Sequence, residues 1–131
     1  MTFGALHHLE IWVTDLDRAE QSLGWLLTEL GYREFDRWPE GVSYAMGATY
    51  LVLESGPDVS GSHDRRRAGV NHLAFHGGRP EEVERLAYKA HQRGWTLMFA
   101  DRHPHAGGAG HYAAYLENAD GFEVELVADT H

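Results

Sequence analysis

Two histidines and two glutamates occupy matching positions in the two halves of this sequence, and both residue types are common ligands of divalent metal ions. His8 and His72 each begin a short segment in which apolar residues alternate with others, and Glu54 and Glu125 each lie near the end of another such segment. Two neutral imidazoles and two carboxylates form a borderline donor set that suits Zn²⁺, Ni²⁺, Fe²⁺, Co²⁺ or Mn²⁺. The sequence therefore predicts a metal centre with one or two positions left for water or substrate.

The alternation in these segments predicts that the four side chains share one face of a sheet. Successive residues of a strand point to opposite faces, so if Leu9 and Ile11 pack on helices, His8 turns away from them. The same argument places three more side chains on the equivalent face: Glu54, His72 and Glu125. Burying these groups together is costly unless a cation compensates. Without a metal, the glutamates would be solvated and the histidines would line a wet groove.

A helix-forming pattern follows each histidine-bearing strand. Asp15 offers an N-cap for the first helix, and Pro80 suits the first turn of the second. Apolar residues recur at helical spacing until Gly31 and Gly94, which stand where a left-handed C-cap belongs. The distance from histidine to glycine is 23 residues in the first half and 22 in the second. The spacing predicts two copies of one structural unit.

Three further strands are predicted after each helix. Their approximate ranges are 32–37, 42–46 and 49–54 in the first half and 95–100, 111–117 and 122–127 in the second. The sequence thus predicts an α+β fold in which two βαβββ modules form a curved, mostly antiparallel sheet around a central cavity, with helices outside. The modules span about 4–55 and 69–128, residues 56–68 link them, and the whole chain 1–131 is one domain.

Composition excludes several classes of function. The net charge of −9 would repel a nucleic acid, and the absence of cysteine removes disulfides, thiolate metal sites and a cysteine nucleophile. No apolar run reaches the length of a membrane span, and the N-terminal residues lack the pattern of a secretion signal. We therefore expect a cytoplasmic protein with a small-molecule partner and no nucleic-acid or membrane partner. Hydrolase motifs such as GxSxG and HExxH are absent.

Four short motifs occur in order along the chain. They are HLEIWVTDL from His8, YLVLE ending at Glu54, NHLAF from Asn71 and DGFEVEL from Asp120. In kind and spacing they resemble the vicinal oxygen chelate superfamily, which includes glyoxalase I, bleomycin-resistance proteins, fosfomycin-resistance proteins and extradiol dioxygenases. The resemblance covers essentially the whole chain. It implies the paired-module fold and, because members commonly pair or exchange modules between subunits, a homodimer.

The resemblance also assigns roles to the four predicted ligands. His8 and His72 match the first-strand histidines of the two modules, Glu125 matches the carboxylate of the last strand, and Glu54 matches an additional carboxylate of glyoxalase-I-like members. It implies a metal-dependent lyase or isomerase that chelates a small oxygenated substrate, with Glu54 or Glu125 moving a proton. Trp12 stands where many glyoxalases acting on glutathione adducts carry an arginine, so that substrate does not follow.

Five residues are candidate substrate contacts: Trp12, Tyr50, His103, His111 and Tyr112. Three of them flank or belong to the glycine-rich stretch 101–110, a loop without counterpart in the first half, and long loops in compact domains are often functional. The alternative for His103 is an ordinary solvent-facing histidine.

Two other functions remain open. One is a bleomycin-resistance-like protein that sequesters a drug or natural product, because several aromatic side chains could line a groove and an acidic surface suits a cationic ligand. The other is an extradiol-type dioxygenase, which would require Fe²⁺ and consume oxygen with catechols. All four metal-ligand positions of the glyoxalase-I-like members are occupied by ligand-type residues in this sequence. The resemblance therefore favours the glyoxalase branch over both alternatives.

Overall fold

The first unit of the chain, which ends at Ser62, contains a mixed four-stranded sheet with the order β1-β4-β3-β2. Its strands are β1 (His8–Trp12), β2 (Arg33–Trp38), β3 (Gly41–Met46) and β4 (Thr49–Glu54). β1 runs parallel to β4, and the other two pairs are antiparallel. The computed structural model of the protein describes residues 2–130.

The helix of the first unit contains a π-helical segment. It consists of α1 (Leu16–Ala19), a π-helical stretch (Glu20–Gly24) and α2 (Trp25–Glu29). The Asp15 side chain caps its start by accepting a hydrogen bond from the backbone N–H of Arg18 at 2.9 Å. At Gly24 the helix touches the hydroxyl of Tyr44, leaving no room for a Cβ atom. Burial raises the pKa of Tyr44 to about 12.

The second unit, which begins at His63, repeats the arrangement with the strand order β5-β8-β7-β6. Its elements are β5 (His72–His76), α3 (Pro80–Ala90), a 3₁₀ turn (His91–Arg93), β6 (Trp95–Leu97), β7 (Ala113–Asn118) and β8 (Glu123–Val127). Gly94 has a φ of 86°, the left-handed conformation expected of a residue that ends a helix. The fully buried side chains of this unit include Val83, Trp95, Leu116 and Leu126.

The predicted α+β fold of two βαβββ modules is confirmed by these two sheets, neither of which is closed. The boundary between the units falls at residues 62 and 63, inside the predicted linker 56–68. The single domain 1–131 stays a prediction, and its end residues Met1 and His131 lie outside the described part of the chain. Between residues 2 and 130, no helix has the length and apolar character needed to cross a membrane.

Two strand limits differ from the sequence-based ranges. β6 ends at Leu97 rather than at residue 100, and β7 begins at Ala113 rather than at residue 111. The intervening residues form consecutive turns, in which the backbone N–H groups of His105, Gly108 and His111 each bond to the carbonyl three residues earlier. Such turns satisfy the backbone locally, so this stretch does not extend either strand.

An arginine that precedes β5 joins two facing carboxylates of the second sheet. Glu117 of β7 lies directly opposite Glu123 of β8. Arg65 donates from Nε to Glu117 at 3.1 Å, and its Nη1 lies 3.6 Å from a carboxylate oxygen of Glu123. Because Glu123 is only 6% exposed, the arginine compensates a charge that water hardly reaches.

Candidate functional site

A buried carboxylate lies between two imidazoles in the second unit. Glu125, in the middle of β8, is 5% exposed. Its Oε1 lies 3.1 Å from Nε2 of His72, and its Oε2 hydrogen-bonds to Nε2 of His111. The side chains of His72 and His111 are 34% and 40% exposed. Solvent or a ligand therefore reaches the imidazoles, and the carboxylate lies behind them.

The sheet places these groups together through register and alternation. Glu125 pairs with Ala74 of β5 and with Tyr115 of β7. Its neighbours along β8, Val124 and Leu126, are 1% and 0% exposed and pack on the opposite face. Burial, followed by the nearby charge of Glu125, raises the pKa of Tyr115. Apolar residues on the helix side thus force the polar ones to share the other side.

The orientation of His72 is fixed by its neighbour in sequence. Asn71 donates from Nδ2 to the carbonyl of Arg65 at 3.0 Å, which turns its amide oxygen toward His72. That oxygen lies 2.7 Å from Nδ1 of His72, so Nδ1 carries the proton and donates it. Nε2 of the same ring then faces Glu125. Because a carboxylate only accepts, Nε2 bonds to Glu125 when the ring carries a proton there as well, and the bond to Asn71 fixes the direction of the ring.

The glycine-rich loop packs against this cluster. A Cβ atom on Gly107 would lie 2.5 Å from the hydroxyl of Tyr115 and 2.8 Å from Cδ2 of His111. Only a residue without a side chain fits there, because both distances are well inside van der Waals contact. The loop backbone therefore forms one wall of the site.

In the first unit, the predicted ligands His8 and Glu54 lie at opposite ends of a strand pair. His8 is opposite Tyr50 in the register, whereas Glu54 is opposite Trp12. The four-residue offset corresponds to roughly 13 Å along the strands. His8 instead stacks on Tyr50, with ring centroids 4.8 Å apart and planes 3° from parallel. Alternation puts both ligands on one face, as predicted, but the register does not bring them together.

Glu54 lines a separate cavity of about 280 Å³. Its Oε1 accepts a hydrogen bond from the indole Nε1 of Trp38 at 2.8 Å. Half of the lining residues are acidic, and one is an exposed tryptophan: Glu10, Trp12, Glu40, Glu54, Gly56, Pro57, Asp58 and Val59. Trp12 is 49% exposed, and its Nε1 donates to Glu10 at 2.7 Å. Of the predicted substrate contacts in this unit, Trp12 thus lines a cavity and Tyr50 stacks on His8.

The predicted substrate contacts His103 and Tyr112 lie on the helix side of the second sheet. Both bond to Glu84 of α3: Nε2 of His103 is 2.8 Å from Oε1, and the Tyr112 hydroxyl donates to Oε2. Burial alone would raise the pKa of Glu84, but the hydrogen bonds from Tyr112 and His103 lower it below its ordinary value. The structure therefore brings His111, and not these two residues, to Glu125. Their role as substrate contacts stays a prediction.

The described side chains offer metal donors without forming a complete metal site. His72, His111 and Glu125 are of the types that bind borderline divalent ions. However, both oxygens of Glu125 already bond to the imidazole nitrogens, and among residues 2–130 no group of three or more histidine, aspartate or glutamate side chains is arranged to hold an ion. The predicted four-ligand metal centre stays a prediction.

Three residues of these sites were not among the predicted metal ligands or substrate contacts, although Tyr115 was among the aromatic residues that could line a groove. Tyr115 alternates with the apolar Ala114 and Leu116, so the pattern used for Glu125 would have placed it on the same face. Asn71 adjoins a candidate histidine and can both donate and accept hydrogen bonds. Glu84 gave no signal, because it lies on the polar side of a helix far from the loop in sequence.

The chain is similar to known proteins in both sequence and fold. Residues 7–115 match the model of the Glyoxalase/Bleomycin resistance protein/Dioxygenase superfamily. The Bacillus subtilis (strain 168) protein YqjT, described as uncharacterized, is 41% identical over 125 residues, which cover 94% of this chain and 98% of YqjT. A crystal structure from Bacillus halodurans, of a protein provisionally called a glyoxalase, has a TM-score of 0.91 at 43% identity and covers 97% of each chain.

A more distant structure shares the fold alone. Lactoylglutathione lyase from Agrobacterium tumefaciens has a TM-score of 0.65 at 17% identity, over 98% of this chain and 96% of that one. The family match, which covers most of the chain, agrees with the two βαβββ sheets. The chain belongs to the Glyoxalase/Bleomycin resistance protein/Dioxygenase superfamily.

Proposed function

We propose that this protein is a glyoxalase-like enzyme that moves a proton on a small oxygenated substrate, and that the reaction takes place at His72, His111 and Glu125. The observation that carries the proposal is the buried Glu125 carboxylate, bonded on one oxygen to each of two partly exposed imidazoles. Burial of a carboxylate is costly, so a protein retains one at an accessible groove mainly for binding or catalysis. Membership of a superfamily that includes glyoxalases is consistent with a lyase or isomerase chemistry.

The His111–Glu125 pair is suited to proton transfer. An imidazole bonded through one nitrogen to a carboxylate can take up a proton on its other nitrogen, because the carboxylate stabilises the imidazolium that forms. A substrate lying against the exposed edge of His111 would lose a proton from a carbon next to its carbonyl. The ring would then return the proton to the adjacent atom. His72, held by Asn71, fixes the other oxygen of the same carboxylate.

Proton exchange on defined carbonyl compounds tests this proposal. We would incubate the protein in D₂O with hemithioacetals of methylglyoxal, formed with glutathione or with 2-mercaptoethanol, and with 2-hydroxyketones, and follow exchange and conversion by NMR. Each assay is run with and without added Zn²⁺, Ni²⁺, Mn²⁺ or Fe²⁺. We expect turnover by the wild type and a loss on the order of 100-fold or more in H111A and E125Q.

H76A is the matched control, because His76 is an exposed histidine of the same β5 strand as His72. We expect it to retain wild-type turnover. Wild-type protein that is inactive on the whole panel, or variants that lose no more than H76A does, would remove the proposal.

The cavity of the first unit favours a second function, the sequestration of a cationic organic molecule. Its walls combine the carboxylates of Glu10, Glu40, Glu54 and Asp58 with the exposed indole of Trp12. Carboxylates attract a cation, and an indole face binds it through its π electrons. A volume of about 280 Å³ accommodates a small ligand or one end of a larger one.

Tryptophan fluorescence measures this binding directly. Titration with bleomycin and with choline, after chelation of all metal, should quench emission saturably in the wild type and more weakly in W12A and E54Q. H76A should bind as the wild type does. Absence of saturable quenching by either cation would count against the second function, whereas binding in the absence of proton exchange would favour it over the first.

A further inference from the structure

Outside the proposed site, Glu84 of α3 forms a polar cluster with two residues of the long loop. It accepts hydrogen bonds from His103 and Tyr112, two residues that lie nine positions apart at the two ends of one loop. The His103 side chain is only 15% exposed, whereas that of Glu84 is 44% exposed, so solvent reaches the carboxylate but hardly reaches the imidazole. A single carboxylate on a helix therefore joins both ends of the loop to the helix.

The loop between these two residues is internally closed. The backbone N–H of Ala113 donates to the carbonyl of Pro104 at 3.0 Å, and Nδ1 of His105 lies 3.2 Å from the carbonyl of His111. The Tyr112 carbonyl accepts from the N–H of Ala128, which extends the pairing of β7 with β8. Displacement of either end of this loop would displace the other.

Tyr112 and His111 are adjacent and point to opposite faces. Tyr112 points to α3, where it meets Glu84, and His111 points to Glu125. In extended chain, fixing the direction of one side chain fixes the direction of the next. Gly107, in the middle of the loop, packs on both His111 and Tyr115. A shift of the loop would therefore also move these two side chains directly.

We propose that Glu84 is a positioning residue, which holds His111 against Glu125 by fastening both ends of the loop to α3. This inference rests on the proposed function, because it treats His111 as part of the reacting cluster. Glu84 lies on the helix side of the sheet and is joined to the loop through His103 and Tyr112. Its substitution should therefore lower turnover far more than substrate binding.

The test compares E84A with E81A and Y112F. Glu81 is an exposed glutamate of the same helix, with a side chain 70% exposed, so E81A controls for the loss of a charge. The readouts are the ring ¹⁵N and ¹H NMR signals of His111, which report its hydrogen bond to Glu125, and kcat and KM for the proton exchange described above. Y112F removes one of the two bonds to Glu84 and keeps the ring, so it remains informative if E84A unfolds.

We expect E84A to shift the His111 signals toward those of an imidazole without a carboxylate partner, and to lower kcat on the order of tenfold to a hundredfold with little change in KM. Y112F should show the same changes to a smaller extent, and E81A should show neither. Unchanged His111 signals in both E84A and Y112F would overturn the inference. Shifted signals in a protein that lacks exchange activity would support the positioning role and remove only the proposed function.

Discussion

Nδ1 of His72 lies 2.7 Å from the amide oxygen of Asn71, and this bond directs the other ring nitrogen to Glu125. Asn71 is exposed and contributes little to the core. We therefore expect N71A to lower proton exchange by about 10- to 100-fold, the usual effect of removing a partner that orients a functional imidazole. The melting temperature should change little. N71D, which keeps the acceptor oxygen, should retain more activity than N71A, and equal loss in both would contradict the orienting role.

Positions on the two faces of the second sheet should respond very differently to truncation. Leu126 is fully buried on the helix side, so L126A should reduce the free energy of unfolding by about 2–5 kcal/mol. H72A removes a partly exposed side chain from the other face and should cost about 1 kcal/mol. Urea denaturation of the two variants measures both values. Equal losses would mean that the faces are wrongly assigned.

Gly24 should not tolerate alanine, although alanine is usually the better helix residue by about 1 kcal/mol. An added methyl group would overlap the hydroxyl of the buried Tyr44. We expect G24A to reduce the free energy of unfolding by roughly 1–3 kcal/mol, as overpacking does. In the Y44F background the loss should be smaller, because the overlapping oxygen is gone. A double-mutant cycle by urea denaturation gives the difference, and strictly additive effects would contradict the contact.

The bond between Tyr112 and Glu84 should fail at alkaline pH. The hydrogen bond to Glu84 raises the pKa of Tyr112 to about 12, compared with about 10 in an unfolded chain. A pKa that is higher in the folded state adds stability below pH 10, and this contribution is lost as the pH rises toward 12. We expect the wild type to be more stable than Y112F near pH 8 and the difference to vanish near pH 12. Tyr88 is an exposed tyrosine of α3, the helix that carries Glu84. The stability of Y88F should equal that of the wild type at both pH values.

Metal content can be measured independently of activity. The family resemblance predicts one divalent ion per chain, and we propose His72 and Glu125 as its principal donors. Elemental analysis of protein purified without a chelator should show the ion in the wild type and a reduced content in H72A and E125Q. Wild-type protein that stays metal-free after supplementation would contradict the metal prediction.

The sequence predicted the faces of the strands much better than the contacts along them. Alternation correctly placed His8 and Glu54 on one face of the sheet. The face to which a side chain points depends only on whether its position along the strand is odd or even. Their separation depends on which residue of β1 lies opposite which residue of β4, and no local pattern specifies this. The sequence could therefore predict a shared surface for these two residues without predicting whether they meet.

The long loop shows a second limit. Its glycines and Pro104 predicted irregular structure, but the directions of His103 and Tyr112 depend on Glu84, which is distant in sequence. His111, only one residue from Tyr112, points to the other side of the sheet and reaches Glu125. Local sequence identified the segment, and tertiary contacts decided which of its residues face the site.

The pairing of Arg65 with Glu117 and Glu123 has a consequence for how the β7–β8 hairpin forms. Like charges directly across two strands repel each other, so a synthetic peptide of residues 113–127 alone would be self-repelling at this position in neutral solution. The segment that supplies the compensating cation lies some fifty residues earlier. During folding, the hairpin should acquire its full stability only after the chain near residue 65 has docked onto it.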